Sequence, residues 1–439
     1  MVYTRKSPAL FIIGIILLIH GFLLAGGYLA GMVKYLGLAR ATGEMITLSY
    51  VFGAIGVVIA LWHWFGSHKE GNLDYYASTI AGGAFILIIA MFVKWYLAPW
   101  VAVLSRAVGP IAGSAAKPTY LHTVLGLNYI VLGIVAGMIT VNVFKIPDWA
   151  HNGVRLSRLG LKTGVILLGT LYSLRELAQL GQLSVLMIGA FVLGSAWLVL
   201  LIGGWRKISN SMGGVLAAGV GVCGVSAAVA AAPVVKARSD EIAYTIGTIL
   251  VFGVICMFIF PVIGHALDMS YVQFGAWAGT GILNSAQVAG AALAYQPTGA
   301  LETLKVGEIF NITRVLFLPV IVMWLAIWYV RREAAAGSAK VEQVDTTRVI
   351  IEKFPVFVLG FILMFALAST GVFSKPMISH FRDWLTWLFA FGLTGLGMQI
   401  TFAAMRQAGG EPLVIGSVVG VLKAVLSLII VLLFVRGTI

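Results

Sequence analysis

Residues 221–236 read Gly-Val-Cys-Gly-Val-Ser-Ala-Ala-Val-Ala-Ala-Ala-Pro-Val-Val-Lys, a run of small residues set among long hydrophobic segments. Such a run makes a poor lipid-facing helix, because it offers little apolar bulk and its glycines weaken helical structure. Irregular backbone at membrane depth survives only where protein or a watery cavity surrounds it. Secondary transporters hold their substrates at breaks of this kind.

The rest of the chain supplies the membrane context. Of 439 residues, 60% are hydrophobic and 10% charged, with mean hydropathy +1.00, which excludes an ordinary soluble domain. Hydrophobic spans are predicted near 10–31, 46–66, 79–101, 121–143, 159–177, 184–203, 212–235, 241–267, 272–297, 306–330, 353–374, 384–404 and 411–436. The first is too long for a signal-peptide core and is expected to be retained.

Net charge of +13 raises the question of nucleic acid, but the basic residues lie in short loops (Lys145, Arg155, Arg158, Lys162; Arg206, Lys207; Arg331, Arg332). That is the positive-inside bias of a multi-pass membrane protein, not a nucleic-acid surface. Cys223 and Cys256 both fall in hydrophobic spans, an unfavourable setting for a structural disulfide. The sequence contains no phosphate-binding loop, no H-E-x-x-H motif and no His/Cys cluster. No enzyme and no cofactor are therefore expected.

Two distant regions match at a nearly constant offset. Gly164, Leu168, Gly169, Gln179 and Gly181 recur 228 residues later as Gly392, Leu396, Gly397, Gln407 and Gly409, and Ser173 answers to Thr401. Upstream, Val131-Leu132-Gly133 recurs as Val358-Leu359-Gly360, offset by 227. A duplication with inverted topology is expected, which requires equivalent helices to run in opposite orientations. The small-residue spans 212–235 and 272–297 satisfy it if each is a re-entrant hairpin. Charge agrees: thirteen simple crossings divide Lys/Arg 15 to 11 between the two sides, and two hairpins divide them 17 to 9. Crossed, broken helices explain the glycines equally well. Both arrangements put the N-terminus in the cytoplasm.

The expected fold is an all-α polytopic membrane protein, an inverted-repeat secondary transporter with two interrupted or re-entrant core elements and 11–13 spans. Residues 1–75 form an extra N-terminal helix pair, 76–330 the first repeat with both core elements, 331–352 a cytoplasmic linker and 353–439 the second-repeat helices.

Candidate substrate contacts follow from the breaks. In the first span these are Gly221, Cys223, Gly224 and Ser226, with the glycine-freed backbone favoured over the sulfur. In the second they are Gly279, Gly281, Asn284, Ser285 and Gln287, whose uncharged donors and half-helix N-termini favour an anion. For Gln287, helix–helix packing is an equal alternative. Arg314 is the most intramembrane cation; it is either a functional charge or a fixed counter-ion for Glu308 or a helix end. Lys236 and Glu241 are expected at an interface, and Lys94 in an aromatic belt with Trp95, Tyr96 and Trp100. Lys423 and His20 have no visible partner in the sequence and receive no role.

From about residue 120 to 435 the chain resembles the YeiH-type family of bacterial inner-membrane proteins, often labelled sulfate exporters. The resemblance rests on Cys-Gly-Val-Ser-Ala at 223–227, Ala-Pro-Val-Val-Lys-Ala at 232–237, Asp-Glu-Ile-Ala-Tyr at 240–244, Phe-Gly-Ala-Trp-Ala-Gly at 274–279, Ser-Ala-Gln-Val at 285–288, Thr-Arg at 313–314 and Phe-Val-Leu-Gly at 357–360. It implies the broad fold group of bile-acid and sodium/proton transporters. Where that family usually shows an aspartate and a lysine, this chain has Asn284 and Asn311. The two asparagines are expected to face each other where an ion pair would otherwise lie.

The resulting expectation is a multi-pass secondary transporter of the bacterial inner membrane, exporting a small anion of the sulfate, sulfite or sulfonate class by alternating access. Its expected partners are the anion, the lipid bilayer and a second copy in a homodimer, with no nucleic acid. Alternatives are a sodium- or proton-coupled carrier of an organic anion and a non-transporting regulatory or assembly subunit.

Overall fold

The structure, a computed structural model, describes residues 8–65, 72–110, 112–114, 117–125, 127–172, 174–295, 301–335, 356–406 and 409–435. The expected linker at 331–352 falls mostly outside the described residues, as do Ser173 and Gln407 of the repeat.

Helices dominate. In chain order they are α1 (Ala9–Ala25), α2 (Ala30–Tyr35), α3 (Thr42–Phe65), α4 (Asn72–Phe92), α5 (Ala98–Val108), α6 (Leu121–Val124), α7 (Tyr129–Ile139), α8 (His151–Leu168), α9 (Leu174–Trp205) and α10 (Asn210–Gly221). There follow α11 (Val225–Ala231), α12 (Ser239–Ala266), α13 (Tyr271–Gly281), α14 (Ser285–Ala294), α15 (Glu302–Leu316), α16 (Leu318–Ala335), α17 (Val356–Ser369), α18 (Lys375–Gly397), α19 (Phe402–Arg406) and α20 (Gly410–Phe434). A short antiparallel pair, β1 (Ala112–Ser114) and β2 (Lys117–Thr119), joins α5 to α6.

Six stretches among the described residues are long and apolar enough to cross a bilayer as continuous helix. Several of the remaining predicted spans are short or broken. Span 159–177 breaks at Gly169–Leu171, and 384–404 breaks after Gly397, so chain interruptions are not confined to the two small-residue spans. Glycine at these helix ends lets backbone approach backbone: an added Cβ at Gly169 would meet the Phe361 carbonyl, and one at Gly397 the Ile134 carbonyl.

The chain divides into two compact units, one of Met1–Gly164 with Asp383–Thr401, the other of Val165–Arg382 with Phe402–Ile439. In the first unit α1 packs on α3 at glycine contacts, a Cβ at Gly14 falling 2.9 Å from the Gly53 carbonyl. Its core gathers Leu10, Ile86, Trp149, Val154 and Phe391. His20 proves to have partners, its ring bonding Ser49 Oγ at 2.8 Å and the Tyr96 hydroxyl. Lys94 lies 3.4 Å from Glu44 and 3.9 Å from the Trp387 ring centre.

The second unit holds both small-residue elements, and each folds back on itself. α10 and α11 form one hairpin: a Cβ on Gly219 would touch Ala228 at 3.5 Å and one on Gly214 would meet Val235 at 2.7 Å. α13 and α14 form the other, with Phe274 stacked on Tyr295 at 4.0 Å between ring centres. Side-chain caps start both: Ser209 Oγ accepts from Met212 N at 3.2 Å, and Ser270 with Gln273 makes a capping box. Glu241, fully buried, secures the base of the first hairpin by accepting from Ser211 Oγ at 3.0 Å and Arg238 N at 2.9 Å.

Candidate functional site

The two hairpin tips, Val222–Gly224 and Ile282–Asn284, touch. Gly224 has φ +79° and ψ −125°, a conformation only glycine adopts readily. An alanine Cβ there would lie 3.0 Å from Asn284 Cα and 3.1 Å from Asn284 Cβ. Gly224 is thus required twice, for the turn and for the contact. Asn284 caps α14, its Oδ1 accepting from Ala286 N at 3.1 Å.

Each tip ends a helix whose last carbonyls have no intrahelical donor. At membrane depth such groups must find partners, and here two buried cations supply them. Lys423 Nζ, on α20, donates to Val220 O and Gly221 O, both at 3.0 Å. Arg314 Nη1, on α15, donates to Ile282 O. Both cations complement the negative ends of half-helices. Arg314 is 0% exposed and Lys423 3%.

Along α15, residues three apart share a face. Arg314 Nη2 donates to Asn311 Oδ1 at 3.0 Å, and Asn311 Nδ2 donates to Glu308 Oε2 at 3.0 Å. Asn311 therefore joins the cation to the buried carboxylate. The expected bond between Asn284 and Asn311 does not form, because each amide is taken up in its own element. Arg314 instead bonds both Asn311 and the Ile282 carbonyl, two residues before Asn284.

The sequence candidates separate accordingly. Gly221, Cys223, Gly224, Asn284, Asn311 and Arg314 belong to the tips or their immediate partners. Ser285, one residue beyond, has a buried Oγ with no partner, and so does Arg314 Nε. Gln287 turns to α12, donating to Leu250 O at 3.4 Å and filling the space left by Gly253, while its Oε1 is buried with no partner among the described residues. Gly279 seats Phe310, and Gly281 lies against Phe260 and Ser427. Ser226 is exposed on α11, outside the buried cluster. Lys423 is the residue that sequence reasoning missed. Its signal was available, a lone lysine inside an apolar span, but its partners are carbonyls 202 and 203 residues away.

Arg314 is fully closed off from solvent in this arrangement. The fold and this cluster define a polytopic helical membrane protein with interrupted core helices and buried, backbone-bound cations. The chain belongs to the family described as conserved hypothetical protein 698, whose model matches residues 82–416.

Its relatives bear the name UPF0324 membrane protein. One from Nitratidesulfovibrio vulgaris is 41% identical over 375 residues, covering 84% of this chain and 98% of the relative. A second from the same organism is 37% identical over 312 residues, covering 71% and 85%. One from Clostridium tetani is 28% identical over 277 residues, covering 62% and 79%. The name specifies a membrane protein and no substrate, so the exporter label rests on the sequence resemblance alone. No solved structure matches the chain.

Proposed function

We propose that this protein is a secondary-active transporter of a small anion, an exporter of the sulfate, sulfite or sulfonate class, working by alternating access in the bacterial inner membrane. The observation that carries the reading is Arg314, wholly buried where two hairpin tips meet, with Nε still unbonded. A buried guanidinium is costly and is kept where its charge is used. Arg314 and Lys423 outnumber Glu308, so the cluster carries surplus positive charge when all three are ionised. In this reading Arg314, Ser285 and the freed backbone at the tips hold the anion, while Lys423 fixes the first tip.

The inverted repeat gains support from paired contacts. A Cβ at Gly133 would meet Thr394 and one at Gly360 would meet Ile166; the repeat offset carries one pair onto the other. The same offset carries Gly397 against Ile134 onto Gly169 against Phe361. Equivalent contacts within each unit are what a duplicated sequence leads one to expect. On this reading 1–75 is an added helix pair, the N-terminus is cytoplasmic and the protein pairs as a homodimer.

Glu308 favours a second reading, a proton- or sodium-coupled carrier of an organic anion, because it is a buried carboxylate joined to the cation through Asn311. Uptake of labelled sulfate and sulfite by proteoliposomes, with and without pH and sodium gradients, tests both. Saturable flux of sulfate or sulfite supports the first reading. Gradient-dependent flux of an organic anion alone supports the second, and no flux of any anion refutes both.

A further inference from the structure

In the first unit, the ends of α2 and α5, the turn between α4 and α5, and the start of α7 enclose a cleft of about 440 Å³. Its charged lining residues, Lys34, Lys94 and Arg106, are all cations; His122 joins them, and no carboxylate is among the lining residues. Lys94 is held by Glu44 at 3.4 Å, but Lys34 and Arg106 make no ion pair among the described residues. His122 is anchored by its backbone N–H, which donates to Ser105 Oγ at 3.0 Å. Its ring Nδ1 is buried without a partner. Two further features point the same way. The π-helical turn Val93–Leu97 sets Lys94 into the cleft, and such turns recur at functional sites. The N-terminus of α7 opens there through Asn128 and Tyr129, adding the positive end of a helix.

Two of the three cations around the cleft, Lys34 and Arg106, have no counter-ion among the described residues, which favours an anion there. The aromatic rim identifies its setting. Tyr35, 62% exposed, lies 5.8 Å from Trp100, itself 42% exposed. Exposed aromatics of this kind mark the headgroup level of a bilayer. We infer that the cleft binds the phosphate of an anionic phospholipid headgroup, with Lys34, Lys94, Arg106 and His122 as its ligands. Basic pockets between membrane helices take such headgroups. Inorganic phosphate offers the same chemistry from solution, so the test must separate the two sources.

The full-length protein in nanodiscs or mixed micelles is titrated with phosphatidylglycerol, with phosphatidylcholine and with inorganic phosphate, and binding is read by native mass spectrometry and melting temperature. The variant is Lys34→Gln with Arg106→Gln, two exposed cations whose loss breaks no ion pair among the described residues. Arg331→Gln with Arg332→Gln removes equal charge on α16 as a control. The expected result is retention and stabilisation by phosphatidylglycerol over phosphatidylcholine, weakened roughly 10- to 30-fold in the cleft variant and unchanged in the control. A full effect from inorganic phosphate without lipid overturns the lipid assignment. Equal response to both lipids, or equal loss in both variants, overturns the site.

Discussion

Replacing Gly224 by alanine tests the meeting of the hairpin tips. At φ +79° and ψ −125° a side chain meets backbone strain of about 1–3 kcal/mol. The new Cβ also lies 3.0 Å from Asn284 Cα and 3.1 Å from Ile249 Cγ2. One of these atoms is backbone, so relief requires a tip to move, and overpacking of that kind costs about 1–3 kcal/mol more. The combined loss is about 2–6 kcal/mol. Gly194→Ala is the matched control: Gly194 lies within α9, and an added Cβ there meets nothing within 4 Å. Helix propensity alone makes that change favourable by up to about 1 kcal/mol. Thermal unfolding in detergent, followed by fluorescence-detected size exclusion, should show Gly224→Ala melting well below wild type and Gly194→Ala at or above it. Gly224→Ala melting with wild type would refute the tip contact.

Other expectations follow from the same contacts. Lys423→Met leaves the Val220 and Gly221 carbonyls without donors, a penalty of about 1–3 kcal/mol each; Lys423→Gln should recover part of the lost melting temperature. Glu241→Ala removes the acceptor for Arg238 N and Ser211 and should destabilise by about 1–2 kcal/mol, seen as earlier proteolysis at the 232–238 turn. Gly169→Ala and Gly397→Ala each drive a methyl into a carbonyl of the facing helix, so they should lower the melting temperature similarly. A large difference between them would argue against equivalent halves.

Much of this was legible from residue types. The glycines at 221 and 224 and the Gly279–Asn284 stretch located both breaks, because helix-weakening residues at membrane depth have few other uses. Arg314 stood out for the same reason. The partners were not legible. Lys423 binds carbonyls of α10, and backbone acceptors carry no sequence signature. His20 meets Ser49 and Tyr96 only once three helices pack together. Asn284 and Asn311 suggested a pair by family pattern, yet helix capping and residue spacing along α15 satisfied each amide locally. Gln287 was ambiguous in sequence because site and packing roles use the same amide chemistry; it fills the space at Gly253, while its Oε1 is buried with no partner among the described residues.

The central claim is that Arg314, held at the Ile282 carbonyl, receives a small anion. Its most direct test compares flux of labelled sulfate and sulfite in proteoliposomes of wild type and Arg314→Gln, with elution profile and melting temperature measured on the same preparations. Saturable flux is expected in wild type, with its loss by at least about 100-fold in a variant that remains folded. Flux retained by folded Arg314→Gln would contradict it.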